Sequence, residues 1–68
     1  MSTGRIKWFN SHQSHGYIVL FDGTEVYFHS SGLMNIGVVG ELSAGMHVSF
    51  DLIQTRVGPE AQNVDVMG

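Results

Sequence analysis

Cysteine is absent from the 68 residues, which excludes disulfide cross-links and thiolate metal sites and leaves the compartment undecided by redox chemistry. Cations are scarce as well. Arg5, Lys7 and Arg56 stand against six carboxylates, for a formal net charge of −3. A nucleic-acid binder resting on a broad basic patch is thereby excluded, and any electrostatic hold on phosphate depends on where those three cations sit. No apolar run nears the roughly 20 residues of a membrane helix, and the start, Met1–Trp8, has no apolar signal-peptide stretch. No membrane partner is expected, and a cytosolic address is the default. Enzymatic activity is not expected either, since no nucleophile–base–orienter set and no paired carboxylates stand at readable spacing. Ser30 and Ser31 beside His29 are too common a juxtaposition to count.

What is present is a glycine-punctuated series of short alternating runs. At this length the chain is one domain over residues 1–68, near the size where a single core is marginal, and a small closed β-barrel is among the few ways to bury enough. Residues 5–10 alternate around Ile6 in a way that makes Trp8 a core residue; only a bulge or a strand end puts that ring outside. Asn10–Ser14 is a polar turn. His15, Tyr17 and Val19 then share one face, and Gly16, Ile18 and Leu20 the other. Phe21–Thr24 carries a hairpin signal. A three-residue loop, Asp22–Thr24, is predicted, pairing Leu20 with Val26, Ile18 with Phe28 and Tyr17 with His29. It gathers Ile18, Leu20, Val26 and Phe28 for the core and leaves His15, Tyr17, Tyr27 and His29 outside.

Residues 30–44 show no sustained period and read as a long loop with one helical turn near Ser31–Met34. Alternation returns from Met46, with Val48, Phe50 and Leu52 inward. Thr55–Glu60, holding Gly58-Pro59, is predicted as a turn, and Ala61–Met67 as a last strand with Val64 and Val66 inward. Five short strands make an all-β barrel.

Lys7-Trp8-Phe9-Asn10, Gly16-Tyr17-Ile18, Val26-Tyr27-Phe28-His29 followed by Ser31, and Gly58-Pro59 followed by Asn63-Val64 together resemble a bacterial cold-shock domain, from Gly4 to Val66. The resemblance implies a five-stranded antiparallel barrel of the oligonucleotide/oligosaccharide-binding type that takes single-stranded RNA or DNA on two aromatic-rich motifs. Carried over by position, it assigns Lys7, Trp8, Tyr17, Tyr27, His29 and Arg56 to that face and favours an exposed Trp8; His15, outward by alternation, joins them as a weaker ring. Several positions depart from the family pattern. Gln13-Ser14-His15-Gly16-Tyr17 stands where the first motif reads Lys-Gly-Phe-Gly-Phe. His29-Ser30 stands where the second ends His-Phe, and Val38 lies near where the family offers another ring. Ring count and charge both fall.

Two function classes follow. One is a weak, sequence-tolerant binder of single strands with a role as RNA chaperone or regulator, since rings stack any base for roughly 1–3 kcal/mol each while cations follow the phosphates. The other is a partly decayed barrel serving a protein partner, or standing as the N-terminal domain of a larger protein, with the apolar stretch Leu33–Val39 as its contact. The bland readings are a core Trp8, surface tyrosines without a role, and a solvated Arg56. His12 and His15 flank a turn with no carboxylate beside them, so neither metal nor cofactor is expected.

Overall fold

A computed structural model describes residues 2–33 and 42–67. The chain forms β1 (Ser2–Asn10), β2 (His15–Val19), β3 (Glu25–His29), a 3-10 turn (Ser30–Gly32), β4 (His47–Thr55) and β5 (Gly58–Val66). The strands close into a barrel in the order β1-β2-β3-β5-β4, with β4 pairing back onto β1. The expected five-stranded barrel is present, but it is not antiparallel throughout. β3 and β5 run parallel, with Tyr27 opposite Glu60, and Leu33 bridges Val64 in the same sense. The reason is geometric: strand directions alternate only around an even ring, so five strands closed on themselves must contain a parallel pair.

Ile6, Ile18, Val26, Phe28, Val48, Phe50, Ala61 and Val64 form the buried core, one or two inward residues from each strand. Phe9 stacks on Phe28 at its edge, ring centroids 5.7 Å apart. The β2–β3 faces are those the alternation predicts, but the pairing is displaced by two residues. Val19 lies opposite Glu25, Ile18 opposite Val26 and Tyr17 opposite Tyr27, so five residues, Leu20–Thr24, make the connection. Local hydrogen bonds explain the longer loop. Gly23 N donates to Leu20 O at 2.9 Å, Leu20 N to Thr24 O at 2.8 Å, and Thr24 N to Asp22 Oδ1 at 3.0 Å. That last bond holds the Asp22 carboxyl below its ordinary pKa. A displacement of two keeps every side chain on its face, and Leu20 still packs against the core from the loop.

The second half departs further. Leu52, expected inward, is half-exposed, as is Ile53. β4 pairs with β1 only from His47 to Phe50; beyond that it pairs with β5 alone, outside the closed part of the barrel. The expected Thr55–Glu60 turn shrinks to Arg56-Val57, and Gly58-Pro59 opens β5 instead. Thr55 Oγ1 closes this turn, donating to Gly58 O at 2.8 Å and accepting from Val57 N at 3.2 Å, while Gly58 takes a φ of 126° that favours glycine. In β5 the buried pair is Ala61 and Val64, a spacing of three that strict alternation does not give. A register shift between Ser49 and Asp51 places the extra residue at Asn63, whose φ of 54° and bond to Asp51 Oδ2 at 2.9 Å absorb it. Val66 is partly buried against the core.

The expected helical turn appears at Ser30–Gly32. Of the Leu33–Val39 contact, Leu33 packs against the core, and the rest, Val38 included, lies outside the described residues. Among the described residues no helix is long and apolar enough to cross a membrane.

Candidate nucleic-acid interface

The outer face of β1–β3 carries the rings. Pairing of β1 with β2 runs Arg5 to Val19 and Ile6 to Ile18, then shifts so that Trp8 faces Tyr17 and Asn10 faces His15. One extra β1 residue, at Lys7, is thus accommodated by a bulge, which re-aims the side chains beyond it. Ile6 remains in the core, while Lys7 and Trp8 both come outside, Trp8 to 39% exposure. Gly16 permits the bulge. A Cβ there would stand 2.3 Å from Trp8 O and 2.9 Å from Phe9 Cα, so only glycine lets the bulged backbone lie this close.

Four of the sequence-predicted residues form a continuous cluster. Trp8 meets His15 at 5.5 Å and Tyr17 at 5.4 Å, while Tyr27 meets Tyr17 at 5.8 Å and His15 at 5.9 Å. Interplanar angles run from 30° to 74°, so none of these pairs stacks face to face as Phe9 and Phe28 do, and the ring faces are left to other planar groups. His29 pairs with His15 across β2 and β3. Its Nδ1 accepts from Ser31 N at 3.1 Å and lies 3.0 Å from Ser31 Oγ, capping the 3-10 turn. The polar turn before β2 is held by Asn10 Oδ1, which accepts from His12 N at 2.9 Å and Gln13 N at 3.2 Å.

The cations are placed less favourably for an anion. Lys7 Nζ is bonded to Glu25, an outward residue of β3, in a half-exposed ion pair. Arg56 is exposed on the β4–β5 turn. Its neighbours Thr55 and Val57, not Arg56 itself, line a cleft of about 380 Å³ with Tyr17, Tyr27, Pro59, Glu25 and Glu60. Glu25 and Glu60 are the members that sequence reasoning missed. The parity that places Tyr27 and His29 outside also places Glu25 there, so that one was readable. Glu60 comes beside Tyr27 only through the parallel pairing, which local alternation does not reveal. Among the described residues no three His, Asp or Glu side chains gather as a metal site needs.

Residues 2–67 match the family model described as the 'Cold-shock' DNA-binding domain. The chain is 36% identical over 64 residues to cold shock protein CspB of Geobacillus stearothermophilus, covering 94% of this chain and 96% of that protein. It is 39% identical over 61 residues to cold shock-like protein CspC of Bacillus cereus, covering 90% and 92%. Similarity to cold shock protein CspD of Bacillus subtilis is 34% over 64 residues, covering 94% and 96%.

Proposed function

This chain belongs to the cold-shock domain family, and from that premise we propose that it binds single-stranded RNA or DNA on the outer face of β1–β3. The observation that carries the reading is the contiguous cluster of Trp8, His15, Tyr17 and Tyr27, whose planes do not stack on one another. Each ring can take a base at roughly 1–3 kcal/mol, which supports a platform for about three or four bases. Every base offers a π-face, so recognition is tolerant of sequence. In this reading Lys7, His29 and Arg56 supply donors to phosphate and base edges. Affinity is weak for the family, because Lys7 is shared with Glu25 and the net charge is −3. Weak, tolerant, cytosolic binding suits a chaperone that keeps RNA strands unpaired.

Trp8 makes the test direct. Titration with a short pyrimidine oligonucleotide is expected to quench its fluorescence and to shift the amide signals of Tyr17, Tyr27 and His29 in NMR spectra. A titration that leaves both unchanged assigns the barrel to the other class, a module for a protein partner.

A further inference from the structure

A second concavity lies beside the ring cluster. It encloses about 320 Å³ between the start of β1, the β2–β3 turn and the start of β4, and is lined by Thr3, Arg5, Val19, Leu20, Phe21 and His47. We propose that it holds a further nucleotide of the same single strand, with the base on Phe21 and the phosphate on Arg5. The proposal rests on the reading that the β1–β3 face binds single strands, and it extends that face.

Continuity is the first argument. Val19 stands two residues beyond Tyr17 on the outer face of β2, about 7 Å along the strand, and Arg5 three residues before Trp8, about 10 Å. A strand leaving Trp8 and Tyr17 in that direction reaches the concavity within its next nucleotides. The second argument is chemical. Phe21 is wholly exposed at the turn, and nothing in the core requires it there. Arg5 has no ion-pair partner among the described residues, and its guanidinium presents a planar fork that matches phosphate oxygens. An exposed ring and a cation thus line one concavity, farther along the strands than the exposed Trp8 and Lys7. The His47 imidazole and the Thr3 hydroxyl add polar partners at the rim. Two carboxylates stand near: Glu25, opposite Val19 and engaged with Lys7, and Asp22, next to Phe21 in the turn, whose Oδ1 accepts from Thr24 N. The cleft on the other side of the tyrosines adds Glu60 to its lining and no cation, so the phosphate of a further nucleotide is assigned to the Arg5 side. The volume lies at the low end for ligand sites and suits one nucleotide.

The experiment compares oligothymidylates of four and eight nucleotides by Trp8 fluorescence, using the native chain, Phe21→Ala and Arg5→Gln. Both replaced side chains are exposed, so folding is expected to survive, and circular dichroism checks it. The native chain is expected to bind the longer strand at least about tenfold more tightly. Each variant is expected to lose most of that gain while binding the shorter strand as before, and Arg5→Gln also flattens the salt dependence for the longer strand. Native affinity for the longer strand in both variants overturns the subsite and leaves the ring platform standing. A Phe21→Ala variant that sediments at lower mass than the native chain gives the concavity to a second copy, which also overturns it. If the native chain binds neither strand, the platform reading fails and the subsite with it.

Discussion

Tyr17 and Tyr27 are half-buried neighbours whose side chains point away from Ile18 and Phe28, so their truncation takes ring surface from the outer face and none from the core. Tyr17→Ala and Tyr27→Ala are each expected to weaken oligonucleotide binding by about 1–3 kcal/mol with little change in the urea midpoint. Unfolding of either variant, with native binding by its folded fraction, assigns that ring to the barrel instead. Glu25 acts in the opposite sense, because it competes with phosphate for Lys7. A half-exposed pair of this kind contributes at most about 1 kcal/mol, so Glu25→Gln is expected to tighten binding a few-fold in a Trp8 titration, and unchanged affinity removes that competition. His29 has a definite proton arrangement. With Nδ1 accepting from Ser31 N, the neutral ring carries its proton on Nε2 and presents it as a donor. Long-range proton–nitrogen NMR correlations are expected to show that tautomer; the Nδ1-protonated form would mean the cap is not made.

Between elements, the β1 bulge is the decisive device. It brings Lys7 and Trp8 out together while Ile6 stays in, and it depends on the bare backbone of Gly16 opposite Phe9. Gly16→Ala puts a methyl group against the Trp8 carbonyl, a backbone atom that cannot rotate aside. The expected cost is at least about 1–3 kcal/mol of stability, read as a lowered urea midpoint, and oligonucleotide binding by the folded fraction should also fall as Trp8 is displaced. A midpoint equal to that of the native chain would show that the bulge relaxes without loss.

For the whole molecule, the electrostatics of a chain with three cations sets a bound on salt dependence. At most three phosphates can be neutralised by Arg5, Lys7 and Arg56, so the log–log slope for a single strand is expected to be no steeper than about −2. A slope near about −5 would require cations from a second copy of the chain. Four rings and few charges make a binder driven by stacking, whose affinity falls little as salt rises.

Local alternation was enough to identify five strands, the inward set Ile18, Val26, Phe28, Val48, Phe50 and Val64, and the outward set His15, Tyr17, Tyr27 and His29, because a period of two survives any even displacement of register. The Lys7–Asn10 string marked Trp8 as exposed, although strict alternation alone would bury it. Other features belong to the closed barrel. Closure of an odd ring imposes the parallel β3–β5 pair and brings Glu60 to Tyr27. The Lys7 and Asn63 bulges reset the inward phase of β1 and β5. Loss of the β1 partner beyond Phe50 exposes Leu52, and only the outward meeting of β1 and β3 side chains ties Lys7 to Glu25. Side-chain period is a property of one strand, whereas partner, phase and ion pairing are properties of strands brought together, so tertiary structure alone decided them.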